Sequence, residues 1–199
     1  MLYSSGFRLI QIGEIRMKSL ETERLILRKL NQTDADRIEE LAGDYDVAKT
    51  TLNIPHPYPK GSAKDFIEST LLAEDNGELI TYAVVKKKAN HLIGIISIKL
   101  TSTHEHGELG YWIGKPYWGK GYGTEAAKAI VAFGFDGLYL NKIFARAITT
   151  NPGSWRIMEK VGMTHEGTLK QHETRWGQYF DLVYYGVLKE EYKKSDKHH

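Results

Sequence analysis

The apolar positions of this chain change period several times, and each change marks an element. "ERLILRKL" (23–30) alternates apolar and polar residues with the period of two expected of a half-buried strand. "NQTDADRIEELAG" then shifts to a helical spacing, with Thr33 as candidate N-cap, acids in the first turn and Gly43 at the stop. "TLNIPHPYP" (51–59) holds three prolines and has to be irregular. A second amphipathic helix is predicted over 62–77, with Phe66, Thr70, Leu71 and Ala73 on or near one face and Gly77 ending it.

Strand patterning returns in "ELITYAVVKK" (78–87), "HLIGIISIKL" (91–100) and "HGELGYWIGK" (106–115), joined by the polar turns "KKANH" and "STHEH". In "TEAAKAIVAFGFDGL" (124–138) Ala127, Ile130, Val131 and Gly134 form a helical stripe, and "KIFARAITT" (142–150) reads as strand. "NPGSWRIMEKVGM" (151–163) is a marked helix: Asn151 can cap it, Pro152 takes the first helical position and Gly162 stops it. Two strands, 166–176 and 177–189, close the chain, with Gly177-Gln178 in the turn. The order βααβββ-α-β-α-ββ predicts an α+β sheet with helices on both faces.

One stretch has no packing reason visible in the pattern. "YWGKGYGTEA" (117–126) sets three glycines and a lysine at the mouth of a helix. Glycine there is useful where the backbone needs positive φ or where a ligand must come close. Helix N-termini offer unpaired N–H groups and the positive end of the macrodipole. The stretch therefore predicts an anion seat, and strand–loop–helix geometry suits a pyrophosphate. It is not a Walker A loop, because no Lys-Ser/Thr pair follows the last glycine. Its G-x-G-x-G spacing is not the dinucleotide fingerprint either. A tight turn with a helix cap would look the same.

Composition narrows the classes. A chain of 199 residues, 41% hydrophobic and 26% charged, suits one domain of ordinary globular character. A net charge of +2 gives no argument for nucleic acid or an anionic membrane as partner. The chain has no cysteine, which excludes disulfides, zinc–thiolate sites and thiol catalysis and agrees with a cytoplasmic location. No apolar run approaches the roughly 20 residues of a membrane span. "MLYSSGFRLIQIGEIR" lacks a basic n-region and a continuous apolar core, so no signal peptide is read there. Residues 1–18 are read as a loosely attached extension, 19–190 as the single domain and 191–199 as a tail whose "DKHH" resembles a tag remnant. His56, His91, His104, His106 and His165 lack metal-ligand spacing, so no metal site is expected.

"ELGYWIGKPYWGKGYGTEAAKAIVAFGF" followed by "TNPGSWRIMEKVGM" resembles the GNAT superfamily of acetyl-CoA-dependent N-acetyltransferases. With "LETERLILRKL" and "EGTLKQHE" the resemblance extends over residues 20 to 189 and is to the RimJ/RimL branch, which acetylates N-termini of ribosomal proteins. It implies a GNAT fold with a mixed, mostly antiparallel twisted sheet and acetyl-CoA as cosubstrate. Tyr111, Trp112 and Ile113 match the splayed strand that holds the pantetheine arm, one of whose N–H groups would polarise the thioester carbonyl. Trp118, Gly119, Lys120, Gly121, Tyr122, Gly123 and Thr124 match the pyrophosphate loop and the helix start behind it. The superfamily usually begins this loop with Gln or Arg, and here the position is Trp118. Asn151 would contact the pantetheine, although Asn before Pro is also an ordinary cap. Ser154 matches the acid that protonates the departing thiolate, and Glu173 the general base. Strand alternation predicts His172 on the face opposite Glu173. Asp181, Tyr184 and Tyr185 are further pocket candidates, though a tyrosine on a strand is more often core.

These roles imply direct attack of a primary amine on acetyl-CoA, with no covalent enzyme intermediate. At pH 7.5, neutralising a lysine side chain costs about 4 kcal/mol, whereas an α-amine of pKa about 7.8 costs under about 1 kcal/mol. A single carboxylate base therefore suits an N-terminal α-amine, such as that of a ribosomal protein. A polyamine or other small amine is the nearer alternative, and a cleft dense in acids would favour it. A non-catalytic acyl-CoA-binding module is the farther one. The sequence leaves self-association open.

Overall fold

The computed structural model describes residues 18–196; residues 1–17, nearly all of the predicted extension, lie outside the described residues. Strands β1 (Leu20–Glu21) and β2 (Leu25–Arg28) are followed by helices α1 (Ala35–Ala42), α2 (Tyr45–Lys49) and α3 (Ser62–Asp75). Next come β3 (Leu79–Lys86), β4 (His91–Thr101), β5 (His106–Ile113), α4 (Tyr122–Asp136), β6 (Lys142–Ile148) and α5 (Pro152–Lys160). The chain ends with β7 (Thr164–Arg175), β8 (Gln178–Leu188) and α6 (Lys189–Asp196). One eight-stranded sheet results, in the order β1-β2-β3-β4-β5-β6-β8-β7, antiparallel throughout except for β5 beside β6.

Alternation along the strands gives the sheet two buried faces. Tyr82 and Val84 of β3 join Ile93 and Ile98 of β4 beneath Ala127, Ile130, Val131 and Phe135 of α4. Ala83, Val85 and Ile95 face the other way, against Ile38 and Leu41 of α1 and Ala63 and Ile67 of α3. Helices therefore cover both faces, as the element order predicts.

The parallel contact decides where a ligand can enter. β5 and β6 pair over three positions, from His106 opposite Lys142 to Glu108 opposite Phe144. Beyond Glu108, β5 continues along β4 as far as Ile113, while β6 pairs with β8 as far as Ile148. The two strands part, and a gap opens in the middle of the sheet.

Several local expectations are corrected. Asn31, not Thr33, caps the first helical segment. Its side chain accepts from Thr33 N–H, and the Asp34 carboxylate accepts from Asn31 N–H, closing a capping box on a 3-10 turn at Gln32–Asp34. Helix α4 begins at Tyr122, two residues early, because Gly121 at φ +79° is its cap. The final hairpin turns on Trp176 and Gly177, both at positive φ, so that Arg175 pairs with Gln178. Strand alternation fails between Leu169 and Glu173, where a bulge puts Gln171 at φ +49° with its N–H on Asp181 Oδ1 (2.7 Å). The predicted opposition of His172 and Glu173 therefore has no basis. The segment read as tail begins as α6, whose Tyr192 ring packs 5.1 Å from that of Phe135.

Candidate active site

The parting strands, the first turn of α4 and the first turns of α5 enclose a cleft of about 890 Å³. Its floor is β5. Gly114 N–H bonds to Ile93 O (2.8 Å), and Ile113 stands opposite Gly94 in the β4–β5 ladder. In an antiparallel ladder alternate residues bond to the neighbour. Trp112 N–H is thereby committed to β4, while the N–H groups of Tyr111 and Ile113 face the gap beyond the last β6 pairing. The structure thus separates three residues the sequence treats together: two aim backbone donors into the cleft and Trp112 does not.

The glycine loop forms one end. Gly119 and Gly121 sit at φ +70° and +79°. Trp118, Gly119, Gly121, Tyr122, Gly123 and Thr124 line the cleft. Lys120 does not; its ammonium turns back onto Pro116 O (2.7 Å). Backbone N–H groups from Gly119 to Thr124 find no acceptor among the described residues. The Trp118 indole donates to Ile113 O (2.6 Å), tying the loop to the end of β5. Arg24 holds it from behind, donating to Lys120 O (3.0 Å) and to Glu125 Oε2 (2.6 Å). With its carbonyl captured at the rear and its N–H groups uncommitted, the loop fits a pyrophosphate.

The opposite wall is the start of α5. Asn151 Oδ1 accepts from Ser154 N–H (3.2 Å), so the capping expectation is met. Its amide also donates to Thr50 O (2.9 Å), fastening α5 to the chain after α2. The Tyr111 hydroxyl reaches both Ser154 O (2.9 Å) and Ser154 Oγ (3.0 Å). Burial pushes the Tyr111 pKa well above its ordinary value, with the Ser154 hydrogen bond opposing the shift. Tyr111 is therefore a neutral donor at any working pH. When it donates to Ser154 Oγ, the serine proton is free to point into the cleft.

Glu173 is not on the cleft wall. Its Oε2 lies 3.9 Å from Arg146 of β6, which does line the cleft. Arg146 Nε binds Glu108 Oε1 of β5 at 2.7 Å, and Glu108 lines the cleft as well. Burial works against the charge on Arg146, but the bond and attraction to Glu108 outweigh it and raise its pKa. The sequence reading missed Glu108 and Arg146. Glu108 sits three residues before Tyr111 on a strand whose alternation is legible, but its partner is 38 positions away. None of Asp181, Tyr184 and Tyr185 lines the cleft: Asp181 binds Gln171 N–H, and Tyr185 is buried with its hydroxyl toward Glu159.

Among the described residues no group of three or more His, Asp or Glu side chains could hold a metal ion. A splayed sheet, a backbone anion cradle and inward-facing N–H donors define a protein that binds a long phosphorylated carrier and transfers its acyl group. Residues 24–164 match the acetyltransferase (GNAT) domain, and the chain belongs to that family. It is 31% identical to the uncharacterized N-acetyltransferase p20 of Bacillus licheniformis, over 88% of this chain and 99% of that one. A Bacillus subtilis protein provisionally named a ribosomal N-acetyltransferase, YdaF, is 28% identical over 86% of this chain and 94% of its own. Among solved structures, a GNAT-family acetyltransferase from Bacillus anthracis superposes with a TM-score of 0.78, at 28% identity over 87% of this chain and 99% of that one. The chain is thus an acetyl-CoA-dependent N-acetyltransferase of the GNAT family. The acyl-CoA-binding module without turnover is set aside.

Proposed function

We propose that the acceptor is an N-terminal α-amine of a protein, of the ribosomal-protein type suggested by the name of one relative. The supporting observation is the charge of the cleft. Its charged wall residues are Glu108, Arg146, Arg156 and Lys160, and its one carboxylate is already held by Arg146. A polyamine would bring two or more positive charges to a wall whose one carboxylate is already held by Arg146. An α-amine brings one, and is neutralised at little cost near pH 7.5.

In this reading the amine nitrogen bonds to the thioester carbonyl carbon as the carbon–sulfur bond breaks. The N–H of Tyr111 or Ile113 stabilises the charge gathering on the carbonyl oxygen. Ser154 donates its proton to the departing thiolate, and Glu173, which stands off the cleft wall, accepts the proton the amine loses directly or through water. Glu108 is the alternative acceptor, favoured by its place on the cleft wall. The absence of cysteine supports a cytoplasmic setting.

The test is a panel of acceptors with acetyl-CoA, read by release of free thiol. Short peptides with a free α-amine should exceed spermidine, an aminoglycoside and an α-blocked lysine peptide in kcat/KM by about tenfold or more. Spermidine as the best acceptor would overturn the proposal.

A further inference from the structure

The cleft does not stop at the sheet. Ile113, Tyr122 and Met158 line it from the face that α4 covers, and Ile38, Ala42 and Ile95 from the face that α1 covers. The glycine loop belongs to the first face, because Tyr122 packs in the same core as the rest of α4. A carrier seated there brings its thioester to the parting of β5 and β6, and the second face is left for the acceptor.

On that second face β5 presents Glu108, Gly110 and Trp112, which alternation puts on one side and all of which line the cleft. Trp112 packs with Ile95 in the core beneath α1, whereas Tyr111 packs in the core beneath α4. Gly110 has no side chain, and its backbone gives no reason for that. It pairs with Ser97 in unbroken register, and its φ is not positive. Packing gives no reason either. A Cβ on Gly94 would collide with Trp112 O, and one on Gly107 with Ile98 Cγ2. Among the described residues outside its own chain neighbours, a Cβ on Gly110 would meet within 4 Å only Ser97 Oγ, at 3.4 Å. Glycine inside a strand weakens it and marks the close approach of a ligand or of another backbone. No other backbone stands there, so the space is left to a ligand.

The walls of this hollow are largely apolar. The Ile95–Trp112 pair stands beside the Ser97–Gly110 pair on one side, and Ile54, Tyr58 and Phe66 line the cleft from the chain before α3 and from α3 itself. On the other side Glu108 and Arg146 bind each other at 2.7 Å. A charged group entering the hollow would have to break that pair or give up its water unpaired, whereas an apolar group gives up nothing.

Resting on the reading of the acceptor as a protein α-amine, we infer that the hollow over Gly110 and Ser97 receives the side chain of the acceptor's first residue and selects a large apolar one. That side chain branches from the carbon bearing the reacting nitrogen, so it lies beside the parting when the amine attacks. A small side chain leaves the apolar walls wet; leucine, methionine or phenylalanine covers them.

The test uses short peptides that differ only in their first residue (glycine, alanine, serine, leucine or phenylalanine), together with spermidine. Thiol release gives kcat/KM for the wild type, G110A and G110L, and calorimetry gives the affinity for acetyl-CoA. Wild type should favour leucine and phenylalanine over glycine by about tenfold to a hundredfold. G110A should reduce that preference and G110L abolish it, with the glycine peptide and acetyl-CoA affinity each within about threefold of wild type. Room exists for the Cβ of G110A, which should melt with or above the wild type, so the series stands even where G110L fails to fold. Indifference of the wild type to the first residue, or a preference for glycine or serine, with every peptide still exceeding spermidine, would overturn the inference alone. A uniform loss across the peptides in G110L would assign the hollow to the acyl group and overturn it as well. Spermidine as the best acceptor would overturn the inference together with the reading it rests on.

Discussion

Replacing Glu173 with Gln keeps the shape of the side chain and removes its ability to take a proton. The structure bounds what else the change can do. The Glu173 side chain is 32% exposed and lies 3.9 Å from Arg146, whose shorter bond, at 2.7 Å, goes to Glu108 and survives the substitution. An exposed pair of that length is worth about 0–1 kcal/mol, or a few degrees in melting temperature for a domain of this size. Loss of a general base costs about a hundredfold to ten-thousandfold, equivalent to roughly 2.7–5.5 kcal/mol in the barrier. The two readings are therefore separated by magnitude. Thiol release at saturating acetyl-CoA, from pH 6.5 to 9.5, should show the full deficit at neutral pH. It should narrow above the acceptor's pKa of about 7.8, where more of the amine arrives neutral. E173Q as active as wild type would refute the base assignment, and a loss found only in E108Q would move the role to the carboxylate on the cleft wall. A deficit independent of pH, with weakened cofactor binding, would make Glu173 structural.

Two further perturbations test neighbouring claims. Ser154→Ala should lower kcat about tenfold to a hundredfold and leave KM for acetyl-CoA within a few-fold, because a thiolate of pKa near 8.5 can leave unassisted. Its melting temperature should hold, since Ser154 O remains as acceptor for the buried Tyr111 hydroxyl; unchanged turnover would reduce Ser154 to a helix residue. Glu74 has its pKa raised by burial, against the pull of Thr81 N–H and Lys29, so its folded state binds a proton more tightly than the unfolded chain does. The resulting cost is absent below the unfolded pKa of about 4.3 and grows as pH rises through the folded value. Glu74→Gln should therefore melt above wild type at pH 8 and lose that advantage at pH 4, and an equal difference at both pH values would refute the titration.

What the sequence made legible was whatever lay within one element. The strand runs of β3 and β4 and the Asn-Pro start of α5 are local statements, and the structure keeps them. The bulge at 170–172 was not legible, because it depends on Asp181 capturing Gln171 N–H from the partner strand. The Glu108–Arg146 pair joins neighbouring strands that touch at only three positions before they part. No pattern within either strand announces that parting. The same limit explains Trp118: it stands where the superfamily usually has Gln or Arg, and its anchor on Ile113 O appears only once β5 has left β6.

The glycines of the loop join these scales, because each answers a different requirement. Gly121 at φ +79° turns the chain into α4, with the nearest side-chain atom, an Arg24 guanidinium nitrogen, 3.3 Å from where a Cβ would stand. Gly119 at φ +70° would meet nothing within 4 Å, so its requirement is conformational, on the open side where an anion can approach. Gly123 is a packing glycine: a Cβ there would stand 2.8 Å from Ile157 Cδ1, so the end of that side chain would have to move aside. That third contact seats Ile157 of α5 against the start of α4, and both helices line the cleft. A flexible stretch at the mouth of a helix is thus what allows two helices to close on one ligand, and only part of its purpose is the ligand itself.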